Sequence, residues 1–262
     1  MMFGRRILIL VPHPDDEVVA CGASIGRAQQ EGAKIFALYL TNGCIARETL
    51  WPWQQKNYDK YVARRRAEGE KNAVFHGLTP VGWSPRPARH LWRNLDAVWR
   101  DVQDAVASHQ IDQLWVPAFE GGNADHDALN ALAAHWRSER KAEDNSVLEF
   151  AEYNFLNGKA HSQEFPFPNG NEQCINLTVD EKKKKREALA LYESERKNLN
   201  YVKIDQECYR PLAKYDYSRP PHSGILWYTR FQWVPFRHPR VDFSDPRDVA
   251  AALVRFLGNA SR

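Results

Sequence analysis

No run in this 262-residue chain approaches the ~18 consecutive apolar residues that a membrane span needs. Arg5-Arg6 is followed by only a few apolar residues before Pro12 and a string of charges, which does not make a secretory signal. Cysteine is scarce. Cys21, Cys44, Cys174 and Cys208 contain no Cys-x-x-Cys pair, and four in so long a chain are not a disulfide scaffold. This usage points to a reducing compartment, so the cytoplasm is the expected setting. Charge of one sign is scarce too. The 36 Lys and Arg against 33 Asp and Glu leave a formal +3, which makes no case for a nucleic-acid partner. The densest basic run, Lys182 to Arg186, reads as the solvated face of a helix entered through Thr178-Val179-Asp180. No Gly-x-Gly-x-x-Gly follows the first apolar run, so the loop that cradles a dinucleotide phosphate is missing.

The chain does alternate between two patterns, and its 43% hydrophobic content suffices to bury a core. Strand-like runs fall near 5–11, 34–41, 112–118 and 147–154, with helix-like segments near 17–31, 57–76, 91–109 and 125–140. Strands alternating with helices imply right-handed crossovers. The expected fold is therefore α/β, Rossmann-like, with three layers (α/β/α) around a mainly parallel sheet. Residues 1–154 would form the catalytic core. Residues 155–262, rich in Pro, Tyr and Trp, would form an extension wrapping that core and walling part of the pocket, within a single domain overall. In the extension Ile225 to Tyr228 and Phe231 to Val234 are strand-like, and Asp245 to Leu257 reads as a helix with Pro246 in its first turn.

The chemistry sits at two matching handovers from strand to helix. Val11-Pro12-His13-Pro14-Asp15-Asp16-Glu17 follows the first apolar run, and Phe119-Glu120-Gly121-Gly122-Asn123-Ala124-Asp125-His126-Asp127 follows the run Leu114 to Ala118. In a parallel sheet both clusters lie at the edge where ligands bind. His13, Asp16 and His126 can then converge on one divalent ion. Two nitrogens and one oxygen, with the fourth position open to water, make a catalytic zinc arrangement. A carboxylate beside it can act as base on metal-bound water. Read alone, Asp15 to Glu17 also suit the positive end of a helix dipole.

These residues resemble the PIG-L (LmbE-like) family of zinc-dependent N-deacetylases. Pro12 to Glu17 match the family's Pro/Ala-His-Pro-Asp-Asp-Glu throughout, and Gly122 to His126 match its Gly-His-Pro-Asp-His in part. Arg65, Glu68 and Gly77 keep a third spacing, with His76 in a leucine place. Thr41-Asn42-Gly43 stands where the family has Thr-Asp-Gly. Lys185 to Ala188 and Tyr192 to Glu195 are similar to its Lys-x-x-Ala and Tyr-x-Ser-Gln helix. The resemblance covers residues 5 to about 200.

It implies zinc on His13, Asp16 and His126, with Asp15 as the general base that also returns the proton to the leaving amine. Asn123 replaces a His that the family has three residues before its last ligand. An amide donates a hydrogen bond to an oxyanion but cannot act as an acid. Asn123 is thus an oxyanion or substrate contact, and Asp125 loses the partner it would have had. Arg65 is placed beside the pocket, where it can bind a substrate hydroxyl or anion. Asn42 sits at the same edge and is a further candidate substrate contact. Trp53, in the aromatic loop 43–61, can stack on a sugar ring or pack on the body of the protein. His222, on the loop Arg219 to Gly224, is a candidate acid or substrate contact.

The expected function is a metal-dependent amide hydrolase, an N-deacetylase acting on a small N-acyl amino sugar or sugar conjugate. The alternative is a zinc-containing carbohydrate-binding protein whose chemistry has decayed, with Asn123 as the mark of decay. Neither the substrate nor the oligomeric state is written in these motifs.

Overall fold

The fold was obtained as a computed structural model that describes residues 2–140, 143–236 and 238–260. In chain order it runs β1 (Arg6–Val11), α1 (Asp16–Gln30), β2 (Lys34–Tyr39), α2 (Pro52–Gln55), α3 (Tyr58–His76), β3 (Thr79–Trp83), α4 (Leu95–His109), β4 (Gln113–Pro117) and α5 (Ala124–Arg140). It continues through β5 (Val147–Phe150), β6 (Tyr153–Asn154), β7 (His161–Ser162), β8 (Gln173–Asn176), α6 (Val179–Leu191), β9 (Gln206–Pro211) and α7 (Pro246–Ala260).

The pleat of β1 explains the layers. Ile7, Ile9 and Val11 enter one core with residues of α1 and α3, while Leu8 and Leu10 enter another with α4, α5 and α7. A strand covered on both faces needs apolar residues at every position, which is why its run lacks polar alternation. Helix α6 joins the α1 side through Val18, Ala188 and Tyr192. The result is the three-layer α/β/α arrangement that the alternating pattern implies.

The main sheet has the order β3-β2-β1-β4-β5-β9-β8. Strands β3, β2, β1, β4 and β5 are mutually parallel, and β9 and β8 add antiparallel pairs. From β1 the chain winds outward to β3, then crosses to β4 on the other side of β1. The carboxyl ends of β1 and β4 therefore flank the point where the winding reverses, and a crevice opens there.

Residues 155–262 contribute strands to the main sheet, because β8 and β9 extend it beyond β5. Cys174 and Cys208 stand opposite each other on those strands and are joined by a disulfide. Two of the four cysteines are thus bonded, which removes the ground for a reducing compartment. Among the described residues no helix is long and apolar enough to cross a membrane. Residues 225–228 and 231–234 are not strands. They form a 3-10 turn at Trp227–Thr229 and further turns, because Thr229, Arg230, Gln232 and Val234 N–H groups all donate to carbonyls three residues back. The apolar run 147–154 breaks at Glu152, whose N–H donates to the Glu120 carboxylate.

Helix α1 is kinked at Cys21 (φ −144°, ψ 27°), and distant residues fill the gap. Ala23 and Ser24 N–H groups donate to the Glu207 carboxylate at 2.8 and 2.9 Å. Lys185 Nζ donates to Glu207 at 2.7 Å and to the freed Val19 carbonyl at 3.1 Å. Both charged side chains are fully buried. The basic run is therefore not wholly a solvated face: Lys185 points inward because the kink leaves a carbonyl and a carboxylate to satisfy. Removing one member of such a pair strands the other in a dry site. Lys185→Met is expected to lower unfolding free energy by about 3 kcal/mol in urea titration; a loss under about 1 kcal/mol would contradict this account.

Candidate metal centre and active site

At the end of β1 the chain turns sharply through His13-Pro14-Asp15-Asp16 into α1. Thr41 Oγ1 donates to the Pro12 carbonyl at 2.7 Å and fixes the start of the turn. Asp15 caps α1 at φ 141°, where a side-chain-bearing residue is strained. Its carbonyl receives the Val18 and Val19 N–H groups. Its own N–H donates to Glu17 Oε2 at 3.1 Å. Glu17 is buried and also receives Asn72 Nδ2 and the hydroxyls of Tyr39 and Tyr192. Burial pushes the Glu17 carboxyl up, and these donors oppose that push.

Arg65, also buried, donates to the Pro14 carbonyl and lies 3.3 Å from Asp15 Oδ2 and 3.6 Å from Glu195. Gly43 makes room for it. A Cβ there would lie 2.7 Å from Arg65 Nε and 2.9 Å from Pro14, and φ is +72° besides. Burial raises Asp15 well above the usual carboxylate range, with Arg65 pulling it down and Asp16 pushing it further up. A proton acceptor so tuned is what general acid–base chemistry requires.

The second handover brings in α5. Asn123 Oδ1 caps the helix by accepting the Asp125 N–H at 2.9 Å. Its Nδ2 has no partner among the described residues and stays free to donate. Asp127 Oδ1 accepts the Glu120 and Gly121 N–H groups and so closes the loop on itself. Glu120 accepts the Glu152 and Tyr153 N–H groups, and burial raises its carboxyl to about 7.

His13, Asp16 and His126 converge, all three buried. His13 Nδ1 lies 3.0 Å from Asp16 Oδ2, His126 Nε2 lies 3.2 Å from the same oxygen, and the two nitrogens are 3.4 Å apart. Donors bonded tetrahedrally to one zinc at ~2.0–2.1 Å stand about 3.3 Å from each other. The donor set and its spacing therefore fit a single divalent ion. The electrostatics agree. Burial works against a charged His13, yet the Asp16 and Asp125 carboxylates raise it to about 10. Burial likewise works against Asp16 anion, yet His126 and His13 hold it well below the usual range. The cluster draws positive charge.

Behind each histidine stands a carboxylate. His13 Nε2 lies 3.1 Å from Asp125 Oδ2, and Asp125 is held in turn by the Leu91 N–H at 2.9 Å and the Arg89 N–H. His126 Nδ1 lies 3.6 Å from Glu152 Oε2, longer than a hydrogen bond, and burial beside the Asp16 and Glu120 carboxylates raises the Glu152 carboxyl well above the usual range. Such backing carboxylates fix the imidazole tautomer and orientation. Glu152 was not foreseen. The signal for it was a carboxylate just past the end of a third parallel strand, hidden because 147–154 reads as one run.

The remaining sequence candidates are placed as follows. Asn42 donates to Tyr58 and the Pro85 carbonyl and accepts the Cys44 N–H, so its polar groups are engaged within the loop. Trp53 is 65% exposed and stacks on Trp51 at 5.4 Å. His222 is buried beneath the β4–α5 loop, where a Cβ on Gly121 would lie 3.5 Å from its Nε2, and neither ring nitrogen has a partner. It belongs to no part of the His-Asp-His cluster.

Residues 8–137 match the family PIG-L, GlcNAc-PI de-N-acetylase. This stretch is a PIG-L family domain. It holds His13, Asp15, Asp16, Asn123, Asp125 and His126, whereas Glu152 and His222 lie beyond it. The chain is 27% identical, over 110 residues, to 1D-myo-inositol 2-acetamido-2-deoxy-alpha-D-glucopyranoside deacetylase of Kineococcus radiotolerans. That match takes in 41% of the present chain and only 30% of the relative's length. Among solved structures, a deacetylase of teicoplanin biosynthesis superposes over 80% of the chain and 99% of its own, with TM-score 0.61 and 18% identity. The 4-carboxy-2-hydroxymuconate hydratase of Pseudomonas putida KT2440 covers 81% and 98%, with TM-score 0.55 and 16% identity. At such identities the likeness is one of fold, and a hydratase on the PIG-L fold shows that fold alone does not assign the reaction.

If Asp125 and Glu152 orient the two imidazoles, Asp125→Asn and Glu152→Gln should each weaken metal binding by about 10- to 100-fold in competition titration with a chelating dye. Unchanged metal affinity in both variants would refute that role.

Proposed function

We propose that the protein is a metal-dependent N-deacetylase acting on an N-acyl amino sugar or sugar conjugate. The observation that carries this reading is the buried His13-Asp16-His126 cluster, spaced for one ion, with the tuned carboxylate of Asp15 on the adjoining residue. The PIG-L domain and the relative's activity on an acetamido sugar support it. One divalent ion on these three residues, zinc by its nitrogen and oxygen donors, supplies an acidified water and a Lewis acid toward an amide carbonyl.

The chain's own residues do the rest. Asp15 takes the proton of the attacking water and returns it to the departing amine, so one carboxyl serves as base and then acid. Arg65 holds Asp15 in place through Pro14 and its own charge, and we assign it that duty in preference to substrate binding. Asn123 Nδ2 donates to the carbonyl oxygen as it gains charge. Asp125 acts by orienting His13 and is a positioning residue. Trp53 offers an exposed ring against which a sugar face can lie.

The test is amine release from N-acetylated sugars and their conjugates by zinc-loaded protein. Wild type should release amine, and chelation should abolish release. Asp15→Ala should keep its metal yet lose about 10²- to 10⁴-fold in rate. Asn123→Ala should lose about 10²- to 10³-fold. Undiminished turnover by Asp15→Ala would remove the base assignment. Sugar binding without amine release would favour the carbohydrate-binding alternative.

A further inference from the structure

Beyond the metal centre the crevice is walled by aromatic rings that end in a cation. Tyr153 packs edge-on against His126, with ring centroids 5.5 Å apart. Trp227 packs edge-on against Tyr153 at 5.2 Å, and Tyr201 touches both, at 4.9 Å from Tyr153 and 5.2 Å from Trp227. The wall is tied to the catalytic loop, because the Trp227 N–H donates to the Gly121 carbonyl at 2.9 Å. Arg230 lies over this wall, its guanidinium carbon 4.1 Å from the Trp227 ring and 4.5 Å from the Phe231 ring.

Three features of Arg230 call for a negative partner. Among the described residues no carboxylate comes within ion-pair distance of it; its hydrogen bond goes to the Trp227 carbonyl. It is partly buried between two rings, so water does not fully replace such a partner. Arg89 lies near enough to repel it, and Arg89 already has Asp242 at 3.5 Å and the Pro239 and Val241 carbonyls. The one carboxylate of this region, Asp242, is thus taken by Arg89, and Arg230 is left without one. Like charges brought together in a half-dry wall favour an incoming anion. A guanidinium held flat by rings presents its N–H edges as a fork for carboxylate or phosphate oxygens. The hydroxyls of Tyr153 and Tyr201 have no hydrogen-bond partner among the described residues and can add donors to the same group.

We propose that Arg230 is a specificity residue that binds an anionic group, a phosphate or a carboxylate, on the sugar whose acylamino group lies at the metal centre. This rests on the N-deacetylase reading. It narrows the substrate class from acylamino sugars in general to those carrying a negative charge within one sugar's breadth of the amide.

Isothermal titration of zinc-loaded protein tests it without turnover. The probes are N-acetylglucosamine, its 1-phosphate and 6-phosphate, and N-acetylmuramic acid, whose carboxylate separates that source of charge from phosphate. At least one anionic probe should bind wild type about 10- to 100-fold tighter than the neutral sugar, the range for a charge-assisted hydrogen-bonded pair. Arg230→Gln should erase that preference while leaving neutral affinity in place, and Arg230→Lys should keep part of it. Equal affinity of wild type for all four probes overturns the proposal, and does so even if the variants fail to fold. A preference that survives in folded Arg230→Gln overturns it as well. Amine release assayed on the same probes separates the two readings. Release without charge preference refutes Arg230 and leaves the deacetylase, whereas preference without any release refutes the deacetylase and leaves Arg230 as an anion site.

Discussion

The buried carboxylate of Glu17 is the interaction on which the site depends. It receives the N–H of Asp15, the amide of Asn72 on α3, and the hydroxyls of Tyr39 at the end of β2 and Tyr192 just after α6. Three other segments are thereby drawn to the start of α1. Together with Arg65, this anchor holds Asp15 at φ 141°, a conformation of roughly 1–3 kcal/mol strain that persists only when its surroundings over-determine it. The strain aims the turn so that His13 and Asp16 look inward to the histidine of α5 while Asp15 meets Arg65. A side chain outside the His13-Asp16-His126 cluster thus sets the geometry of the cluster itself.

The cluster gathers acids in a place that disfavours them. Asp15, Asp16, Glu120 and Glu152 are all buried, and each acid's burial opposes its charge. What offsets this is local: two imidazoles for Asp16, one guanidinium for Asp15, and backbone N–H groups for Glu120. Glu152 lies between the His126 edge and the Asp16 carboxylate, and burial and Asp16 raise its own carboxyl. The surplus of negative character is what a divalent cation at the candidate site would neutralise. Metal affinity and the stability of the crevice are therefore two readings of one charge balance.

Much of this was legible in the residues. Apolar runs without alternation marked β1, β2, β4 and β5, since strands covered on both faces show no polar period. Asp15, Asp16 and the two histidines were legible because a strand-to-helix handover needs no His. Other parts were hidden for definite reasons. Strand β3 contains Pro80 and Gly82 and is an edge strand, so its propensity is poor. Strands β8 and β9 are short, and Glu207 and Arg210 point to buried partners that a one-dimensional pattern does not display. Lys185 looked solvated because four basic neighbours surround it in sequence, while its partners lie on α1 and β9. The backing of His13 and His126 by Asp125 and Glu152 is a relation across the sheet edge, invisible until the strands are laid side by side. Arg230 sits among turns where strands were expected, so no regular element pointed to it.

The kink at Cys21 has a consequence for how the molecule comes into being. The groups that satisfy it, Glu207 and Lys185, follow Ala23 by 184 and Val19 by 166 positions. The first helix, which carries Asp16, is thus completed by some of the last-made secondary structure. During synthesis the emerging N-terminal third has open N–H groups and a bare carbonyl at its centre, and loop closure over so long a span is slow. The nascent chain would hold its metal-binding turn in an unfinished frame until β9 docks. A fragment ending before β9 would inherit the motif without the scaffold that shapes it.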